Sequence, residues 1–367
     1  MSIDPLLQAM HAVLLVGHGG FEQLKYRDDI SIPHPQAGEV LIRVGAAAVN
    51  NTDINTRIGW YSQSVQTSPA KGDPAGLPPA QLEDAAWTGS ALHFPRIQGI
   101  DVCGQIAAVG DGVAPGRIGE RVLVEPCLQE GGRVPPGSIW FLGSECDGGF
   151  GQFVTVPAAH AFSVKSEMTD VELASFPCSY AAAENMLTRA AVHNGDVVLI
   201  TGASGGVGSA AIQLARRRGA KVIAVAGRAK AAQVEALGAS TVLDRDEDPV
   251  TALGKESVQV VIDVVGGPAM PRLLDVLARA GRYAVAGAIG GPIAELDLRK
   301  LYLKDLSLFG CTALERSVFP NLIGYIEREE IRPIVNAIYP LNQIVEAQQA
   351  FLSKQHVGKI VLVPPDA

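Results

Sequence analysis

The chain has 367 residues, enough for more than one core, and its 47% hydrophobic and 19% charged content is that of a globular protein. A net charge of −8 argues against nucleic acid or an anionic membrane as a partner, and no unbroken apolar stretch reaches the ~18 residues a membrane span needs. Five cysteines, at 103, 127, 146, 178 and 311, form no Cys-x-x-Cys pair and are odd in number, which argues against a disulfide framework and for a reducing, cytoplasmic compartment.

The first elements predicted are short strands. His11 to Val16, Glu39 to Val49, Gly104 to Val109, Arg121 to Val124 and Phe153 to Val156 are apolar or alternating runs, separated by glycine, proline and aspartate turns. Between them lies a long stretch, Ser62 to Pro95, carrying Trp87, Leu92 and Phe94. A loop of that length is either functional or an inert excursion; the functional reading is a lid over a cleft, with Trp60 and Trp87 facing an apolar substrate. From Val171 the pattern turns helical, with Leu173, Phe176, Tyr180 and Ala183 at spacings of three and four.

The segment from Val197 to Ala215 then combines an apolar strand, a turn containing Ser204, Gly205, Gly206, Val207 and Gly208, and a small-residue helix. This is the pattern of a dinucleotide-binding element: Gly205 lets backbone amides approach a pyrophosphate, and Gly208 lets the helix pack on its strand. Against the Gly-x-Gly-x-x-Gly fingerprint the first glycine is replaced by Ala203. The next strand, Lys221 to Val225, is followed by Ala226, Gly227 and Arg228 with no Asp or Glu to accept from a ribose 2′-hydroxyl. Arg228 and Lys230 would instead grip a 2′-phosphate, which favours NADPH; the plainer alternative is two solvated charges at a helix start.

Strands are predicted again at Val242 near Asp244, Val258 to Val264, Arg282 to Ala286 and Leu306 to Phe309, alternating with helices. That alternation implies a doubly wound parallel sheet in an α/β domain. Helices around Phe319 to Ile326 and Leu341 to Leu352 follow. A last strand, Lys359 to Val363, is expected to return to the N-terminal sheet.

This order of elements, with Gly17-His-Gly-Gly20, Ala48-Val-Asn-Asn-Thr-Asp-Ile-Asn55, Gly99-Ile-Asp-Val-Cys-Gly104, Gly148-Gly-Phe-Gly-Gln152 and Gly358-Lys-Ile-Val-Leu362, resembles the medium-chain dehydrogenase/reductase superfamily over nearly the whole chain. Within it, the resemblance is to the zinc-independent quinone oxidoreductase and enoyl reductase branch. It implies a GroES-like β-rich catalytic domain at 1–160, a Rossmann NADP-binding domain at 161–312, a C-terminal segment at 313–367 returning to the catalytic domain, and a homodimer joined through Leu306 to Phe309.

The alcohol dehydrogenases of the superfamily hold a catalytic zinc through Cys, His and a later Cys or acid, and here the first two positions fall on Asn50 and Ile100. An isoleucine cannot ligate and an amide is a poor zinc donor, so Cys178 and Asp101 alone do not make a site, and no metal is expected. Without a Lewis acid at oxygen, the natural reaction is hydride transfer to a quinone, an enone or an enoyl thioester. The resemblance makes Tyr61 the candidate proton donor and puts Asn50 against the nicotinamide or the substrate oxygen; Tyr61 capping a loop is the plainer reading. Two other functions stay open at this point, a zinc-type alcohol dehydrogenase with displaced ligands and a non-catalytic NADPH-binding structural or sensor protein.

Overall fold

The computed structural model describes residues 9–69 and 83–366. In the N-terminal half the first two apolar runs become β1 (Ala9–Leu15) and β3 (Glu39–Val49), with β2 (Leu24–Ser31) between them, followed by helix α1 (Asn51–Ile58). Then come β4 (Arg96–Ile97), β5 (Cys103–Val109), β6 (Arg121–Val124), β7 (Cys127–Leu128), β8 (Trp140–Phe141), β9 (Phe153–Pro157) and β10 (Ala161–Ser163). Strand β3 is the spine: it pairs antiparallel with β5 and β9, and its last residues pair with a strand from the far C-terminus. Leu41, Ile42, Val44 and Val49 are buried in the core of this half.

The helical pattern from Val171 resolves into two helices, α2 (Asp170–Leu173) and α3 (Pro177–Arg189). The single helix suggested by the spacing is broken because Pro177 has no N–H to continue the ladder and therefore starts a new helix.

Next come β11 (Val197–Ile200), α4 (Gly206–Arg217), β12 (Lys221–Ala226), α5 (Ala231–Ala236), β13 (Thr241–Asp244), α6 (Pro249–Leu253), β14 (Val258–Asp263), α7 (Met270–Val276), β15 (Leu277–Val285), α8 (Leu298–Tyr302) and β16 (Ser307–Gly310). The six strands form one parallel sheet in the order β13-β12-β11-β14-β15-β16. This is the Rossmann order, with the topological switch between β11 and β14. Alternation along the strands feeds two cores: Val198, Ile200, Val222 and Ile262 pack with α3 and α4, while Leu199, Ile223, Val261 and Tyr283 pack with α7.

The chain ends with α9 (Val318–Glu327), β17 (Val335–Pro340), α10 (Ile344–Leu352) and β18 (Lys359–Val363). Strand β18 pairs antiparallel with Ala47–Val49 of β3 and parallel with β17. The chain is thus an α/β protein that combines a GroES-like β-rich unit with a parallel Rossmann sheet. Strands β2 and β17 are absent from the sequence reading because both lie at sheet edges with mostly exposed or half-buried side chains, which leaves little apolar alternation to read.

Candidate active site

The turn from β11 into α4 is shaped by what its glycines exclude. A Cβ at Gly208 would lie 2.3 Å from the Gly202 carbonyl oxygen, and one at Gly206 would lie 2.5 Å from Ser179 Oγ and 3.0 Å from Lys359 Cδ. Helix α4 therefore starts tight against its own strand and against residues from α3 and β18. Its N-cap, Gly205, has no side chain to cap with, so the first amides of α4 face the crevice free to donate to an anion.

Beyond β12 the predicted cations meet others that the sequence reading did not single out. Lys230 Nζ donates to the Lys354 carbonyl at 2.6 Å, and Lys354 Nζ donates to Asn51 Oδ1 at 3.0 Å. Burial, and then repulsion from Lys230, pull Lys354 down to about 8; burial and the neighbouring lysines hold His356 at about 4, so its ring is neutral at pH 7. Arg228 is 91% exposed, with Nε 3.3 Å from Asp244 Oδ2 at the end of β13. A phosphate gripped by Arg228 would compete with that carboxylate.

Across the crevice, β3, the Gly99-to-Cys103 segment, α3 and β18 converge on a buried polar network. Lys359 Nζ donates to Asn50 Oδ1 at 2.5 Å, to Asp101 Oδ2 at 2.8 Å and to Ser179 Oγ at 3.2 Å. The side chains of Lys359 and Asp101 are 3% and 0% exposed. Asn50 Nδ2 donates to Asp101 Oδ2 at 2.8 Å and to the Ala48 carbonyl at 3.1 Å, which takes up both of its hydrogens. Asp101 Oδ1 accepts the Cys178 backbone N–H at 2.6 Å, satisfying one of the open donors at the N-terminus of α3. Asp53 accepts the Asn50 and Gly99 N–H groups; burial nonetheless pushes it up to about 7.

Tyr61 follows directly after α1. Burial raises the pKa of its hydroxyl, the Cys178 thiol and Asp53 push it the same way, and the nearby side chains of Thr52 and Asn55 on that helix oppose the shift. Burial likewise raises the Cys178 thiol, so it stays protonated. Trp87 stacks on Tyr61, and Trp60 meets Tyr61 edge-on. Of the long stretch from Ser62 to Pro95, residues 70–82 lie outside the described residues. Its near end reaches the Rossmann side, where Ser68 Oγ donates to the Ile289 carbonyl at 2.5 Å, and its far end docks on the turn after β8. Tyr180 and Glu184 point elsewhere. They tie α3 to Gln213, to the Arg332 carbonyl and to Arg218.

Residues 36–166 match the alcohol dehydrogenase GroES-like domain family and residues 206–328 the zinc-binding dehydrogenase family. A crystal structure of an alcohol dehydrogenase candidate from Sinorhizobium meliloti 1021 is 44% identical, covers 98% of each chain and superposes with a TM-score of 0.87. The chain belongs to the medium-chain dehydrogenase/reductase superfamily. Among relatives of this superfamily, the acryloyl-coenzyme A reductase of Metallosphaera sedula is 29% identical over 96% of this chain and 99% of its own. The quinone oxidoreductase of Rattus norvegicus is 28% identical over 96% of this chain and 98% of its own. As a medium-chain dehydrogenase/reductase the chain is an oxidoreductase with a nicotinamide cofactor. Among the described residues no helix is long and apolar enough to cross a membrane.

Proposed function

We propose that the chain is an NADPH-dependent reductase that delivers hydride to an activated double bond or a quinone without a metal. The observation that carries this reading is the Lys359, Asp101 and Asn50 network. The ammonium group bonds to Asn50, at the first position a catalytic metal site would use, and to Asp101, next to the second; Asn50 has no free hydrogen, and Ile100 at the second position is buried and apolar. A dication does not suit this set, because Lys359 would repel it from Asp101, the one carboxylate in the network.

NADPH, when bound, supplies the hydride, and the chain's own groups do the rest. The open amides of α4 would hold its pyrophosphate, and the cations Arg228, Lys230 and Lys354 beyond β12 would attract its 2′-phosphate. Hydride added to the β-carbon of an enone or enoyl thioester leaves an enolate, and the Tyr61 hydroxyl is the group that returns a proton to it. Asn50 acts by position: with both hydrogens committed, it holds Asp101 and Lys359 in register behind the reacting face. The relatives that reduce acryloyl-coenzyme A and quinones support a small electrophilic substrate.

The test is NADPH consumption by metal-stripped protein with a quinone, a linear enone and crotonyl thioester, with NADH and an alcohol plus NADP as controls. Turnover of one electrophile with NADPH preferred is expected, and Arg228→Ala should lower that preference by about tenfold. Alcohol oxidation restored by zinc would return the zinc-type reading, and bound cofactor with no turnover would leave a binding protein.

We also propose the division into 1–160, 161–312 and 313–367, a reducing compartment for the five free cysteines, and a homodimer through β16. The support for the dimer is that β16 ends the parallel sheet with Leu308 exposed, beside exposed Leu298, Tyr302 and Leu303 of the preceding segment. Sedimentation should give twice the chain mass, and Leu308→Lys should give the monomer. A wild-type monomer at assay concentration would end this part of the reading.

A further inference from the structure

Three aromatic rings lie in series beside the Tyr61 hydroxyl. Trp87 stacks on Tyr61 with ring centroids 5.6 Å apart and planes 17° apart, and on Phe141 at 4.3 Å and 12°. Trp87 is not on the main fold. It comes from the long stretch after Tyr61 and is clamped in place by the turn after β8. Its backbone N–H donates to Ser144 Oγ at 3.2 Å, Thr88 donates through its backbone N–H and Oγ1 to Glu145 Oε1 at 3.0 and 2.8 Å, and Glu145 Oε2 accepts the Phe141 backbone N–H at 2.9 Å. The indole also packs against the cores of both halves of the molecule. Trp60 cannot take its place, because it meets Tyr61 edge-on and its Nε1–H is committed to the Thr67 carbonyl.

We propose that Trp87 is a positioning and specificity-determining residue: stacked on Tyr61 and Phe141, it fixes the Tyr61 ring and fills the space beside it, so that short acyclic enones or enoyl thioesters are reduced in preference to fused polycyclic quinones. This rests on the reading of Tyr61 as the proton donor. A polycyclic quinone binds best by laying its face on an aromatic ring, and Trp87 takes up one face of Tyr61 and one face of Phe141, removing that stacking surface beside the proton donor. A narrow acyl chain needs no such face.

The experiment compares wild type with Trp87→Ala, Trp87→Leu and Trp87→Phe. The ratio of kcat/KM for 9,10-phenanthrenequinone to that for crotonyl thioester should rise about tenfold in the Ala and Leu variants and return most of the way in Phe. Leu keeps bulk in the two cores while removing the stack, so a folding defect in Ala alone does not decide the matter. An unchanged ratio in Leu overturns the specificity claim.

A second readout follows the Tyr61 phenol itself, as the phenolate absorbance of each protein minus that of the same protein carrying Tyr61→Phe. Thr52, Asn55 and Asp53 face that hydroxyl from α1 and the Cys178 thiol faces it from α3. With Trp87 in place the phenol should stay silent to about pH 11 and begin to ionise at lower pH in Trp87→Ala, as water reaches it. Titration that is the same in both overturns the positioning claim. Wild-type protein that binds NADPH yet reduces neither electrophile would sink the proposed function instead, and the titration would still decide whether Trp87 holds Tyr61.

Discussion

Lys359→Met should lower stability and turnover together. The ammonium group is the cationic partner of an Asp101 carboxylate that is wholly out of solvent, and methionine fills the space of the stem without replacing the charge. Removing one member of a buried ion pair costs about 3–5 kcal/mol, because the carboxylate left behind still bears its desolvation. The Asn50 amide and the Cys178 N–H would remain, which places the expected loss toward the lower end of that range. The lysine stem also walls the turn into α4, and the neighbouring Gly358 N–H donates to the Ser204 carbonyl at 3.1 Å, so NADPH should bind more weakly as well. Chemical denaturation and fluorescence titration of NADPH would measure the two effects. The decisive variant is the double change Lys359→Met with Asp101→Asn, which removes the stranded charge. It should recover most of the stability but little of the turnover, since Asn50 has lost what orients it. A single change costing less than about 1 kcal/mol would show that Asp101 is not held by Lys359.

The Rossmann half was legible because its strands are buried on both faces and its turns are glycine-rich: β11, the α4 turn and β12 could be placed from residue types alone. The edge strands β2 and β17 were not, since almost all of their side chains are exposed or half-buried and neither sequence sustains an apolar alternation. The site divided in the same way. Tyr61, Asn50 and the Ser204-to-Gly208 turn lie within continuous motifs. Lys359 lies in a quoted motif too, yet its partners stand 258 and 309 residues away, and only folding brings them together. A signal existed: a lysine opening the strand Lys359–Val363, whose other residues are all apolar, must reach either water or a buried partner. Lys354 gave no such sign, because a cation in a polar turn reads as solvated until α10 places it beside Lys230.

Tyr61→Phe should lower kcat on an enone or enoyl thioester by about 10²- to 10⁴-fold while leaving NADPH affinity nearly unchanged. Phenylalanine keeps the ring, and with it the contact with Trp87, so the fold should lose little. The raised pKa sets the direction of the pH dependence. A phenol whose ionisation is pushed upward stays in its acid form throughout the neutral and mildly alkaline range, so the wild-type rate should show no alkaline limb from this group between about pH 6 and 9. The same shift makes the phenolate costly, so the proton leaves Tyr61 only as the enolate forms, with the polar side chains of Thr52 and Asn55 nearby to favour the charge. The substrate class sharpens the prediction. A reduced quinone carries its charge on oxygen, where water can protonate it, whereas an enolate must be protonated at carbon. Tyr61→Phe should therefore spare quinone reduction relative to alkene reduction by about tenfold or more. Equal losses on both would mean that Tyr61 orients the substrate and is not the donor, and no loss on either would remove it from the site.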